Sequence, residues 1–589
     1  MRGSFWNVVC VLVVAFLSRE AFAAGGGKYV VQVGSTTQYI EPLQDLPNGT
    51  TPLGWTARTY DTTQDNGKGD TGNGDGTGNW QTGRIGVGYG DGDDVTTIKN
   101  DANVRGVYTR TSFDVANAAA YVSMIFEMDY DDGYVAWLNG TEISRSSNLT
   151  ASPSHWNSAA TAGHEATHQY GTPINVTAFL SALVTGTNVL AVAAWNDTNT
   201  SSDLTLRPRL SLYTSTYVAP PLHTYLTWQN DTGTTMTVNY HVGATAGNSK
   251  VYYDTVSHDG ETSQYAFNAT GSSHQVPGLS AYVNRNIHTV ELTGLTPGQT
   301  YYFVAGDPAV AITPELKFRT CPSGNAAKSF CQGGDMSNVQ ETGQMLANAA
   351  MKEPLFMALG GDCAYENGAL ASYALWDGVI DYFEDNLITP TGYTVPLVIA
   401  IGNHEVNGGW GQTPAQAPFY FNYFPQNGTT SYFSRAFGSN LMFMVLDSGH
   451  VTTMTGTQAT WITSTLSSAS SYRWRFSMYH VPQYSSVRSF TGDADVVATR
   501  SAWEALFDAG MTTAFENHDH AGKRTKLMKS DDFDPTGVLY LGDGCMGQTP
   551  RNPDQAGNYY LERADGIRNY WYVELPSDCV SGQDAVYYN

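Results

Sequence analysis

Leu355-Phe-Met-Ala-Leu-Gly-Gly-Asp-Cys-Ala-Tyr365 opens as a five-residue apolar run and closes on two glycines, an aspartate and, three residues later, a tyrosine. An apolar run of this length bounded by glycine reads as a buried strand. The glycines let the backbone turn sharply and deliver Asp362 at the strand's end. The same pattern recurs along the chain. Ser329-Phe-Cys-Gln leads to Asp335 within Gly333-Gly-Asp-Met-Ser337, and Val395-Pro-Leu-Val-Ile-Ala-Ile leads to Asn403 within Gly402-Asn-His-Glu405. Arg475-Phe-Ser-Met leads to Tyr479-His-Val-Pro482, and Thr513-Ala-Phe leads to Asn517-His-Asp-His520. A further strand is read at 442–447, and helical stretches at 339–351, 370–387 and 503–507. Strands alternating with helices predict an α/β region from Lys328 onward. Its polar residues gather just past strand ends, where open α/β sheets bind ligands.

These five segments supply Asp, Asp, Tyr, Asn and three His. Hard oxygen donors mixed with imidazoles suit Fe, Mn or Zn better than Ca or Mg. An aspartate can bridge two ions through its two oxygens, and two ions about 3.5–4 Å apart can clamp both the attacking and the leaving oxygen of a phosphoryl transfer. Each element alone has a plainer reading: Asp335 or Asp362 as a helix N-cap, Tyr365 as packing, His404 as a hydrogen-bonded core residue. His518 and His520, two apart on a strand, are expected on one face. The weight lies in five segments each placed at a strand end.

In this order the segments resemble the metallophosphoesterases, and specifically the purple acid phosphatases. The resemblance covers about 328–576 together with the sandwich before it. It implies a four-layer α/β/β/α catalytic domain, which here follows two all-β sandwich domains read from the upstream sequence, and a dinuclear centre of Fe(III) and a second divalent metal (Fe, Zn or Mn). Asp335, Asp362, Tyr365 and His520 would hold the Fe(III); Asp362, Asn403, His480 and His518 would hold the second ion, with Asp362 as the bridge. His404 would contact phosphate beside Asn403 and help protonate the leaving group. The discriminating pair is Ser337, where ordinary metallophosphoesterases carry His, and Tyr365. The implied activity is hydrolysis of phosphate monoesters by a metal-bound hydroxide at acid pH. Three features depart from the family. Asn517 stands where Gly is usual, and Gly522-Lys523-Arg524 where Tyr-Glu-Arg is usual. Tyr484-Ser-Ser-Val-Arg-Ser489 carries none of the substrate histidines of plant members. Arg488 could take over a phosphate contact, because a guanidinium suits that geometry, or be a surface residue. A phosphodiesterase or nucleotide pyrophosphatase on the same scaffold is an alternative. So is a secreted glycan- or matrix-binding protein with a vestigial catalytic domain.

Upstream, the chain reads as all-β. Tyr121-Val-Ser-Met-Ile-Phe-Glu-Met128 and Asn188-Val-Leu-Ala-Val-Ala-Ala-Trp195 alternate between Gly/Asn/Asp turns. Asp131-Asp-Gly133 and Asn139-Gly140 flank a strand in a hairpin-like unit. The stretch from Asp129 to Glu142 resembles a galactose-binding-like jelly-roll, a module that packs beside a catalytic domain or contacts carbohydrate. The Gly/Asp-rich stretch 65–94 reads as a solvated loop, since it lacks the ordered ligand spacing of a calcium loop. Val218-Ala-Pro-Pro221 marks a boundary. Beyond it, Val290-Glu-Leu-Thr-Gly-Leu-Thr-Pro-Gly-Gln-Thr-Tyr-Tyr-Phe-Val-Ala305 resembles the tyrosine-corner region of a fibronectin type III sandwich. The expected division is 1–23 signal peptide, 24–216 jelly-roll, 217–322 fibronectin-like domain and 323–589 catalytic domain.

The signal peptide rests on Arg2, a short apolar run over 8–17 and the small-x-small site Ala21-Phe-Ala23. Sequons at Asn48, Asn139, Asn148, Asn175, Asn196, Asn199, Asn230, Asn268 and Asn427 agree with secretion. So does the expectation of an extracellular or acidic secretory compartment with no membrane span. Removing Cys10 leaves Cys321, Cys331, Cys363, Cys545 and Cys579, an odd number, with Cys363 expected buried and unpaired. Within 589 residues only 14% are charged, and the net charge of −24 argues against nucleic acid as a partner. It leaves a phosphorylated small molecule open, since a local metal site can attract one whatever the net charge.

Overall fold

The computed structural model describes residues 27–577 and 585–588, apart from 47–52, 66–78, 91–93, 100–104, 151, 153, 216, 218, 244–246 and 282. The expected signal peptide, Asn48, Cys579 and most of the Gly/Asp-rich stretch lie outside the described residues. The protein is β-rich and built of several sheet pairs.

Residues 27–213 form two facing six-stranded sheets. Their centre is the long antiparallel pair Gly106–Val115 with Gly186–Trp195 on one side and Ser123–Tyr130 with Leu204–Tyr213 on the other. Inward residues such as Phe126, Leu190, Val192, Leu206 and Leu210 are fully or nearly fully buried between them. The read hairpin is present: Gly133–Leu138 pairs with Thr141–Arg145 across Asn139 and Gly140, both at positive φ. That is the backbone a tight two-residue turn demands. Of the Gly/Asp-rich stretch, Asp65 is structural, accepting hydrogen bonds from the Tyr60 hydroxyl (2.7 Å) and the Trp80 indole (2.8 Å).

Residues 222–319 form a four-stranded and a five-stranded sheet. The Tyr301 hydroxyl accepts the Thr296 N–H at 3.0 Å, tying the chain back on itself at the corner before Thr300–Asp307. This sandwich shares one continuous core with the region after it. Trp228 lies edge-on to Phe437 (5.5 Å) and Phe356 (6.3 Å).

From Lys328 two further sheets face each other. In the first, Lys328–Gly333, Met357–Leu359 and Leu397–Ile399 run parallel, with Trp571–Leu575 antiparallel at the other side of Lys328–Gly333. In the second, Leu441–Val445, Trp474–Met478, Thr513–Phe515 and Val538–Gly542 run parallel, with Gly522–Lys529 antiparallel beside the last. Phenylalanines 330, 356, 443, 476 and 515 fill the space between the sheets. Helices Gln340–Ala350 and Tyr373–Asn386 cover the outer face of the first sheet through Leu346, Trp376 and Ile380. Helices Thr457–Ser468 and Ala494–Asp508 cover the second through Ile462, Trp503 and Phe507.

The N-terminal sheets dock on helix Tyr373–Asn386 through buried polar contacts. Arg209 pairs with Glu127 (2.7 Å) from its own sheet and with Asp385 (2.9 Å) across the junction. Arg207 pairs with Asp129 (3.1 Å) and donates to Asn386 Oδ1 (2.7 Å).

Cys321, Cys331, Cys363 and Cys545 are all buried and unpaired, so the described residues contain no disulfide. Cys363 is unpaired as expected; the other three, for which no pairing was legible, sit as single apolar side chains within the cores.

Candidate metal centre

The parallel strands point their carboxyl ends the same way, and the candidate ligands converge there. Asp335 follows Gly333 by two residues, Asp362 follows Leu359 by three, and Asn403 follows Ile399 by four. His480 follows Met478 by two and His518 follows Phe515 by three. Five of the seven, Asp335, Asp362, Tyr365, His518 and His520, have φ between 51° and 77°. Non-glycine residues avoid that region, and such strain gathers at functional sites.

The side chains sort into two groups. His480 Nε2 lies 3.0 Å from Asp362 Oδ2, 2.9 Å from His518 Nδ1 and 3.1 Å from Asn403 Oδ1. The ligand atoms of Asp362, His480 and His518 lie within 4.8 Å of one another. In the second group, His520 Nε2 lies 3.1 Å from Asp335 Oδ1 and 3.1 Å from the Tyr365 hydroxyl. That hydroxyl is 3.4 Å from Asp335 Oδ1. The groups meet where the His518 N–H donates to Asp335 Oδ2 at 2.9 Å. His518 and His520 correct the expectation of a shared strand face. They lie in a loop past Thr513–Phe515, and each turns to a different group.

The surroundings orient these ligands. His480 Nδ1 lies 3.0 Å from the Gly360 carbonyl and donates to it, which directs Nε2 into the cluster, the arrangement of a metal-bound imidazole. Asp362 Oδ1 accepts the His404 N–H (2.8 Å), leaving Oδ2 toward His480. Glycines make room. A Cβ on Gly544, at φ +77°, would fall 1.8 Å from Asp335 Oδ2, and one on Gly402 would fall 2.3 Å from Asp362 Oδ1. Asn517, where the family has Gly, fits for the converse reason. It packs against Gly360, where a Cβ would fall 1.8 Å from the Asn517 amide, and donates to the Tyr479 carbonyl at 2.8 Å. Lys523, in the second departing segment, is fully buried and ion-paired to Glu516 and Asp543 behind the site.

Electrostatics favour a cation here. Burial raises Asp362, but His480 outweighs it and holds the carboxyl down at about 2. Burial opposes charge on His480, and Asp362 and Asp335 outweigh it, pushing the imidazole up to about 9. Burial and the neighbouring His480 hold His518 well below its ordinary value. Burial and then Asp335 and Asp362 push Tyr365 far up, so its phenolate needs a compensating positive charge. A carboxylate–imidazole–amide group and a carboxylate–phenol–imidazole group, side by side, fit two ions of the Fe, Zn or Mn kind.

Of the substrate candidates, His404 is 35% exposed, donates through Nδ1 to Asn367 Oδ1 (2.5 Å), and packs on Tyr365 with ring centroids 4.3 Å apart. Arg488 is held by Asp519 (2.6 Å) and the His518 carbonyl (2.7 Å). Several contributors carried no signal by residue type. Glu405 accepts the N–H groups of Asp362 (2.8 Å), Cys363 (2.7 Å) and Gly402 (2.7 Å). His450 packs 5.7 Å from His480, and Trp410 lies edge-on to His518 at 6.3 Å. Arg551 donates its N–H to the His520 carbonyl (2.8 Å) and Nη1 to the His518 carbonyl (3.2 Å). Of the sequons, Asn175, Asn199, Asn230, Asn268 and Asn427 are exposed. Asn196 is 1% exposed and donates to the Tyr89 hydroxyl, while Asn139 and Asn148 each donate twice within the fold.

Residues 221–320 match the family model described as the purple acid phosphatase N-terminal domain. Purple acid phosphatase 15 of Arabidopsis thaliana is 26% identical over 299 residues, 45% of this chain and 55% of that protein. Purple acid phosphatase 13 of the same plant is 24% identical over 337 residues, 50% of this chain and 62% of that protein. The chain thus matches little more than half the length of these relatives. A solved purple acid phosphatase from yellow lupin (Lupinus luteus) seeds shares the fold, with a TM-score of 0.50 at 13% identity, over 83% of this chain and 91% of that one. Through the matched N-terminal domain and these relatives together, the chain is similar to the purple acid phosphatases.

Proposed function

We propose that this protein is a secreted acid phosphatase that hydrolyses phosphate monoesters of small molecules at a dinuclear Fe(III)–M(II) centre. The observation that carries the reading is the pairing of two ligand groups joined through Asp335 and His518, one of them containing Tyr365. Asp335, Tyr365 and His520 would hold the Fe(III), and Asn403, His480 and His518 the divalent ion, with Asp362 facing both. When bound, the pair supplies Lewis acidity toward the phosphoryl group and lowers the pKa of water to make a nucleophile. The chain's own residues do the rest. Gly360 and Glu405 fix the orientation of His480 and of the Asp362 loop. Half-exposed His404, steadied by Asn367 and lowered in pKa by burial, stands at the opening, where it can hand a proton to a leaving alkoxide. Trp410 borders the His518 side, edge-on to that ring.

The finer domain reading belongs to the same proposal: a galactose-binding-like jelly-roll, a fibronectin-like sandwich and a four-layer catalytic domain. Secretion rests on the signal-like N-terminus. Among the described residues no helix is long and apolar enough to cross a membrane.

The test is a visible absorption spectrum with metal analysis for wild type and Tyr365→Phe. A broad visible band lost in the variant, with two metals per chain, is expected. Two metals without colour would remove Fe(III)–tyrosinate, and no metal in the folded protein would overturn the enzyme reading. Turnover of a monoester against a diester separates the phosphodiesterase alternative.

A further inference from the structure

The segment that replaces the family's substrate histidines is committed elsewhere. The N–H groups of Ser486, Val487 and Arg488 converge on Asp519 Oδ2 at 2.8, 2.7 and 3.2 Å. The Arg488 guanidinium closes the same clamp through Asp519 Oδ1. Its charge is neutralised and its role is to brace the loop bearing His518 and His520. Arg551 is placed differently. Its main chain and its Nη1 are anchored on the carbonyls of those two histidines, one on each. Among the described residues no carboxylate lies within ion-pairing distance of it, although the protein carries a net charge of −24. A guanidinium offers five N–H donors in a planar fork, and the structure uses one of them, through Nη1.

We propose that Arg551 is the phosphate-binding residue of this site, its free guanidinium edge taking a non-bridging oxygen of the substrate phosphate beside the loop that bears His518 and His520. The inference rests on the phosphatase reading above and adds a residue that meets the substrate phosphate. A rim cation with no counter-charge, held by carbonyls and not carboxylates, keeps its full attraction for a phosphate dianion. The planar fork also fixes phosphate orientation in a way an ammonium does not.

The test is calorimetric binding of inorganic phosphate to the metal-loaded full chain for wild type, Arg551→Met and Arg551→Lys, with metal content, visible spectrum and monoester KM measured alongside. R551M is expected to weaken phosphate binding and raise KM by about 10- to 100-fold, the range for losing a charge-assisted pair, with metal content and spectrum unchanged. R551K is expected to fall between. Phosphate affinity of R551M within twofold of wild type, with two metals bound, overturns the inference and leaves the phosphatase reading standing. Wild type that binds neither metal nor phosphate overturns both. If R551M loses metal, R551K decides. With metal retained, phosphate binding weakened at least threefold supports the proposal and unweakened binding overturns it. Metal lost from both variants assigns Arg551 to structure alone and overturns the proposal too.

Discussion

Removing the Glu405 carboxylate should unfasten the Asp362 loop from the Gly402 loop. Glu405 is fully buried, and its two oxygens accept three backbone N–H groups. Oε2 takes Asp362 and Gly402, and Oε1 takes Cys363. These are charge-assisted bonds to donors with no other route to water. Burial and Asp362 push the carboxyl up to about 7, against the pull of the three donors. In Glu405→Ala all three N–H groups lose their acceptor, at about 1–3 kcal/mol each, for a total of about 3–9 kcal/mol. Water entering the vacated space would bring the cost toward the lower end. In Glu405→Gln the amide oxygen can keep the two bonds of Oε2, but its NH₂ then faces the Cys363 N–H. One bond is lost and two donors oppose, for about 1–3 kcal/mol. Urea denaturation of the metal-free protein should therefore rank wild type, then Gln, then Ala. Metal titration should show weakened binding in Ala, because Asp362 is no longer held. If both variants unfold within about 0.5 kcal/mol of wild type and bind metal normally, the three hydrogen bonds do not organise the site.

Four further outcomes are expected. Burial, then Asp385 and Asp381, push Glu384 up to about 8 at the junction below the N-terminal sheets. A carboxyl raised in the folded state binds its proton more tightly than the unfolded chain does. Stability should therefore fall as pH rises from about 4.5 to 8, and Glu384→Gln should flatten that slope in thermal unfolding across the range. Arg209→Met leaves Glu127 and Asp385 buried without their counter-charge; breaking such a pair costs about 3–5 kcal/mol. Limited proteolysis should then release the N-terminal sheets, which wild type retains. Lys523→Met should destabilise the fold by a similar amount for the same reason, visible as a lowered thermal midpoint. Cys321, Cys331, Cys363 and Cys545 should resist thiol labelling in the native protein and all label after unfolding, as read peptide by peptide in a mass spectrometer.

Much of the site was legible because its signal is local. An apolar run, one or two glycines and a polar residue at Leu355–Asp362, and the same pattern at Gln332–Asp335 and Ile401–Asn403, encode a strand, its end and a candidate ligand within ten residues. The two-residue turn at Asn139 and Gly140 was legible for the same reason, since few residues tolerate positive φ. The reading of His518 and His520 as one strand face went wrong because alternation holds only inside a strand, and the strand stops at Phe515.

What the chain alone determined was therefore the menu: strands with their ends, the residue types of a candidate metal site and the acidic surface. The tertiary structure decided the assignments. That Glu405 fastens two loops, that Arg488 is neutralised by Asp519 while Arg551 is not, and that Arg209 reaches Asp385 across 176 residues depend on contacts between distant segments. A glutamate or an arginine has the same local appearance whether it braces a loop, joins two domains or faces a substrate. Only the partner that folding brings within hydrogen-bond distance distinguishes them.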